Sequence, residues 1–167
     1  MRADSRVSVF IVFLRVFLVT NLTSTVLRNK LSLTLAQLFT STYPNIIPTF
    51  LHPFLNLLVP QDGATNLHLP LLVAHLLVEI AQEIHDATTR EFSRRSLVWA
   101  KQLNERDGRI RDAIRASGDE RLAVEGLLAL ASKGLPQSGN SKWLEVTEFA
   151  IRALAAWARE LCAAQHC

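Results

Sequence analysis

Apolar residues recur along most of this chain at intervals of three and four rather than two, the spacing of one buried face of an α-helix. In LRNKLSLTLAQLFTSTYPNIIPTFLHPFLNLL, from Leu27 to Leu58, the residues Leu27, Leu31, Leu35 and Leu38 fall within one narrow arc, with Asn29 opposite and Lys30 flanking it. Pro44 disfavours the α conformation in the residue before it, so this helix is expected to stop near Tyr43. Pro48 suits the first turn of a second helix with Phe50, Leu51, Phe54, Leu55 and Leu58 inward, and Pro53 within it predicts a kink. Two amphipathic helices joined by a few residues predict an antiparallel hairpin.

The pattern then repeats. After the turn-rich PQDGATN, Pro70 opens a third helix whose stripe is Val73, Leu76, Leu77, Ile80 and Ile84, ending around HDATT. An arginine-rich helical stretch follows, broken near Gly118, and Leu122, Leu127, Leu128 and Leu130 mark the next buried face up to Gly134 and Pro136. Asn140 or Ser141 starts a last helix carrying Trp143, Thr147, Ala150, Ile151, Leu154, Ala158 and Leu161. The fold class is therefore all-α. Helix pairs repeating at roughly 40–47 residues suggest a HEAT-like α-solenoid, while the weak similarity between pairs leaves a plain bundle open.

Composition supports a packed domain: 49% of residues are apolar and only 7% aromatic. A net charge of +3 predicts at most weak non-specific attraction to acidic partners. Cys162 and Cys167, both at the C-terminal end, fit neither a disulfide framework nor a zinc site. The run VSVFIVFLRVFLV imitates a signal or anchor behind Arg2 and Arg6, but it is short and contains Arg15, so no membrane insertion is expected. The sequon at Asn21 matters only under secretion.

No residue set carries an enzymatic mechanism, and no cofactor is expected. His75, Glu79 and Glu83 share one helical face, yet His85 and Asp86 point elsewhere, so an acidic, solvated face is expected rather than a metal site. GLPQSGNSK displaces Lys142 from the place a phosphate loop requires and is expected to be an inter-helix loop. Cys162 with His166 lacks a third member to orient the pair. His52 is expected on a helix surface or in packing, and Trp143 and Trp157 in the core.

VLRNKLSLTLAQLFTSTYPNIIPTFLHPFL resembles the N-terminal signature of the exportins of the importin-β superfamily, in which an RNKL or KNKL helix precedes an aromatic-Pro turn and a second helix. LLVEIAQEIHD, ERDGRIRDAIR and WLEVTEFAIRALAAW resemble the exportin-T branch, the tRNA exporters, in its fungal form. The resemblance covers about residues 22–158 and divides the chain into an unmatched apolar segment at 1–20, an exportin N-terminal HEAT-like region at 21–158 and an unmatched tail at 159–167. Ile46 and Ile47 stand where the family commonly has a Trp, and RELCAAQHC is not expected to continue the last helix. A complete exportin would be several times longer, so a fragment or truncated product is expected.

The resemblance implies a non-enzymatic nuclear export receptor that binds Ran-GTP and tRNA together, meets nuclear pore proteins, and shuttles between nucleus and cytoplasm. In its terms, Arg28, Asn29, Lys30, Glu79 and Glu83 are expected to meet Ran, and Arg94, Arg95, Arg109, Arg111 and Arg115 to meet tRNA. Guanidinium groups suit phosphate contacts, and Arg111 and Arg115 lie four apart with Arg109 close by, outside a buried side of Ile110, Ala113 and Ile114. The competing expectation is a salt-bridged solvent face, since Glu105 with Arg109 and Asp107 with Arg111 are spaced i,i+4. Alternatives of other classes are a helical scaffold without transport activity and a membrane-associated helical protein.

Overall fold

The computed structural model describes residues 24–59, 67–85, 97–137 and 139–163. They form six α-helices and one 3-10 turn, and no strand occurs among the described residues. The run 1–20, Asn21, and Arg90, Arg94 and Arg95 lie outside them. Among the described residues no helix is long and apolar enough to cross a membrane.

Helix α1 spans Thr25–Thr42 and is capped by Ser24, whose hydroxyl accepts from the Leu27 N–H at 3.4 Å. It stops where Pro44 requires, with Tyr43 extended (φ −89°, ψ 142°) before a cis Tyr43-Pro44 bond. Its buried face, however, is Arg28, Ser32, Leu35, Ala36, Phe39 and Thr40, while Leu38 is 39% exposed. The expected leucine stripe is rotated by about one residue, or about 100°. Three of the inward positions are polar, and their burial is tolerated because each finds a hydrogen-bond partner locally or on a neighbouring helix. The Ser32 hydroxyl donates to Arg28 O at 3.0 Å, and the Thr40 hydroxyl donates to Gln37 O at 3.1 Å.

The second helix is a single turn, α2 at His52–Leu55, rather than a kinked helix beginning at Pro48. Pro53 occupies its first turn, where a missing N–H costs no hydrogen bond. Phe50, Leu51, Phe54, Leu55 and Leu58 are nevertheless all buried. The corner is built from rings in sequence: Tyr43 stacks on Phe39 (4.7 Å between centroids), Phe39 meets Phe50 edge-on (5.4 Å), and Phe50 stacks on Phe54 (5.5 Å).

Helix α3, His68–His85, is the centre of the domain, lying between α1 and the last helix. Its predicted stripe is buried throughout, and so is everything from Pro70 to Leu77. Helix α4 (Leu97–Ser117) and α5 (Asp119–Gly134) meet at Gly118, whose φ of +78° is the left-handed conformation that ends one helix and redirects the next. In α5, Leu127 and Leu130 are buried as expected, but Leu122 and Leu128 are 43% and 51% exposed. The inward face is instead lined with small residues, Ala123, Gly126, Ala131 and Gly134. A Cβ on Gly126 would stand 3.0 Å from Leu58 Cδ1, and one on Gly134 would stand 2.0 Å from Thr147 Oγ1. Close approach of neighbouring elements, not side-chain size, decides which face turns in.

After a 3-10 turn at Leu135–Gln137, Asn140 caps α6, its side chain accepting from the Lys142 N–H at 3.0 Å. Helix α6 runs Ser141–Ala163, so it carries Leu161 as expected and takes in the first residues of RELCAAQHC, which were not expected to continue it. Val146, Thr147, Ala150, Ala153 and Trp157 form its buried side, while Ile151 and Ala158 face out. The layers run α1, α3, α6, α5, with α4 against α5 and α3, and α2 against α5. His75 meets Phe149, and further along both helices Trp157 bonds to Leu77 and borders one pocket with Ala81 and Ile84, so α3 and α6 run side by side in the same sense. This all-helical stacking is HEAT-like.

Candidate interaction site

Of the Arg28, Asn29 and Lys30 trio, Asn29 and Lys30 face solvent, but Arg28 is 3% exposed. Its guanidinium donates to the Glu145 carboxylate of α6, which joins the starts of two helices 117 positions apart. Arg28 is thus an inter-helix tie, and the surface available to a partner here is Asn29, Lys30 and the outer part of Glu145.

His75, Glu79 and Glu83 do not form a solvated face. His75 is 5% exposed and stacks on Phe149 with 3.5 Å between centroids and 25° between planes. Burial, and then the positive charges of Arg28 and Arg152, push its pKa down to about 4, so the ring is neutral. Arg152 sits 5.1 Å from the Phe149 centroid and pairs with Glu148. Glu79 and Glu83 are half-buried, and burial first, with Glu83 beside it second, holds the Glu79 carboxyl above its ordinary range. Among the described residues no three His, Cys, Asp or Glu side chains are placed to hold a metal.

The arginines of α4 do not share one face. Ile110 and Ile114 are buried, and successive residues turn by about 100°, so Arg109 lies on one flank of the buried stripe and Arg111 and Arg115 on the other. Arg109 is exposed and has no acid at ion-pair distance among the described residues. Arg115 lies 3.8 Å from both Asp112 and Glu120. Half-buried Arg111 borders a small pocket of about 30 Å³ with Arg115, Glu120, Ile84, Ile114 and Trp157. The expected Asp107–Arg111 pair is absent, because Asp107 is fully buried and bonded to Arg106 at 2.8 Å.

Trp157 is in the core as expected, but several long-range contacts went unread in the sequence. Trp157 donates its indole N–H to Leu77 O at 2.9 Å, stitching α6 to α3. His52 reaches across to fully buried Asp119, with 2.9 Å between Nδ1 and Oδ1. Tyr43 hydrogen-bonds Ser117, and burial raises its hydroxyl pKa despite that bond. The acids directly after Gly118 were the one local signal, since a carboxylate at a helix start is a common cap; its partner 67 positions away was not readable.

A family model described as exportin 1-like protein matches residues 24–165, which takes in every described helix. The chain belongs to this family. As an exportin 1-like protein it is a member of a family of nuclear transport receptors. It is 36% identical over 110 residues to an exportin-T of Coprinopsis cinerea, covering 64% of this chain and 10% of that protein. It is 34% identical over 118 residues to an exportin-T of Laccaria bicolor, covering 68% of this chain and 11% of that one. The exportin 1-like chain thus spans about a tenth of the length of these relatives. No solved structure matches it.

Proposed function

We propose that this chain is a segment of a nuclear export receptor that carries tRNA out of the nucleus in complex with Ran-GTP, without enzymatic activity of its own. The observation that carries this is its similarity to two fungal exportin-T proteins over about two thirds of the chain, within a family match that takes in every described helix. A HEAT-like stack suits the role, since small changes at each helix layer add up to a large change in curvature, and two ligands bound to one curved array are coupled reciprocally. Ran is met by Asn29, Lys30, Glu79 and Glu83, with Arg28 holding that surface in place rather than touching it. Phosphates of tRNA are met by Arg109, with Arg94 and Arg95 contributing from the segment before α4. Shuttling through nuclear pores follows from the same role.

The test is a chimera. The 110 residues aligned with the Coprinopsis exportin-T are exchanged into that protein, and binding of labelled tRNA is measured with Ran-GTP and with Ran-GDP. The expected chimera binds tRNA only with Ran-GTP. A folded chimera that binds neither Ran-GTP nor tRNA overturns the proposal. The chain alone is expected to bind Ran-GTP weakly and with no dependence on tRNA.

A further inference from the structure

Three helices from distant parts of the chain meet around one imidazole. His75 of α3 is enclosed, its Nε2 has no hydrogen-bond partner, and its ring lies flat on Phe149 of α6. The charged groups that face this junction are Arg28 from α1, and Glu145, Glu148 and Arg152 from α6, with half-buried Glu79 one turn along α3 itself. Arg28 is held by Glu145, and Arg152 by Glu148, so both available α6 acids are already engaged with a guanidinium. The acid left for a third cation is Glu79, whose carboxyl is held above its ordinary range by burial and Glu83 and so gives up its charge in the same acid direction.

We propose that the junction of α1, α3 and α6 is an acid-loosened clasp: a proton on His75 repels the Arg28 and Arg152 guanidiniums and releases the hold of α1 on α6. The step needs only a proton from solvent, taken by the orphan Nε2. The direction follows from linkage. The enclosed ring resists protonation down to about pH 4 while an exposed histidine takes its proton near 6.5, so any state that opens the clasp binds the proton better. The clasp is fully closed above about pH 6.5, and its opening constant rises as pH falls, by up to about tenfold per pH unit, until the enclosed ring itself protonates. The Trp157–Leu77 bond, which ties α6 to α3 rather than to α1, contains no titrating group and serves as an internal control.

The experiment uses the full chain with its His75→Phe and His75→Gln variants between pH 7.5 and 4.5. Urea midpoints are recorded together with the NMR signals of the Arg28 side chain and the Trp157 indole N–H. Phenylalanine keeps the stack on Phe149 and cannot take a proton, and glutamine provides the same test should the phenyl ring pack poorly. The expected result is a wild-type midpoint that falls more steeply below pH 6.5 than that of either variant, with Arg28 signals moving before the Trp157 indole does. Wild type and both variants losing stability in parallel, or Arg28 and Trp157 signals moving together, overturns the clasp and leaves ordinary acid unfolding.

Discussion

Single atoms decide where this domain tolerates change. Gly134 faces Thr147 so closely that a methyl group has no room, whereas nothing lies within 4 Å of a Cβ at Gly139. Gly134→Ala is expected to cost about 1–3 kcal/mol in urea unfolding, and Gly139→Ala less than about 0.5 kcal/mol; equal effects would show that α5 and α6 do not approach this closely. Trp157→Phe keeps the buried ring but deletes the bond to Leu77 O, at an expected loss of about 1 kcal/mol. The arginines of α4 separate in the same way. Arg115→Glu breaks contact with the nearly buried Glu120 and is expected to lower stability, while Arg109→Glu leaves it unchanged. In the tRNA-binding chimera, Arg109→Glu is expected to weaken tRNA binding and reduce its salt slope by about one unit. An unchanged affinity across a salt series would make Arg109 part of a solvated face only.

Among the elements, α1 is where pattern and packing part company. Leu35 and Leu38 belong to one leucine stripe in the sequence, but only Leu35 is enclosed. Leu35→Ala is expected to cost about 2–5 kcal/mol and Leu38→Ala less than about 1 kcal/mol, read from the same denaturation curves; comparable losses would restore the leucine stripe as the buried face. Elsewhere the helical pattern was legible. The stop at Tyr43, the break at Gly118 and the start at Ser141 all follow from proline, glycine and capping chemistry acting within a few residues. The stripe of α3 was legible because the stretch from Pro70 to Leu77 is buried without a break, so apolar positions chosen there are all inside. Helix α2 was overextended because Pro48 and Pro53 each satisfy the rule for a first turn, and only the second was used.

Across the whole molecule, α6 turns Leu144 and Ile151 outward with exposed Ala155 and Ala158 along the same side, each spaced three, four or seven residues from the last. Leu128 on α5 and Leu135 in the 3-10 turn are also exposed. The isolated chain is therefore expected to bind a hydrophobic dye and to self-associate, and Leu144→Glu with Ile151→Glu is expected to reduce both without lowering the unfolding midpoint. A monodisperse wild-type monomer that binds no dye would count against an exposed apolar side. The candidate site was less legible than the fold at this scale. Arg28 carries the family resemblance yet is enclosed, and the acidic face expected of His75, Glu79 and Glu83 is largely inside.

The sequence by itself determined what local physics controls: an all-helical chain, its main breaks, the start of its last helix, and the apolar character of α3 and of the α2 corner. Backbone dihedral restrictions and hydrogen-bond capping act over a few residues, so they can be read from a few residues. Tertiary structure alone decided which side of α1 and α5 turns inward, that Arg28 meets Glu145, that His75 is enclosed and neutral, and that Arg109 stands apart from Arg111 and Arg115. Those outcomes depend on partners far away in sequence. A buried guanidinium is tolerable only where a carboxylate arrives to meet it, and a glycine face is preferred only where another helix comes close enough to need the space.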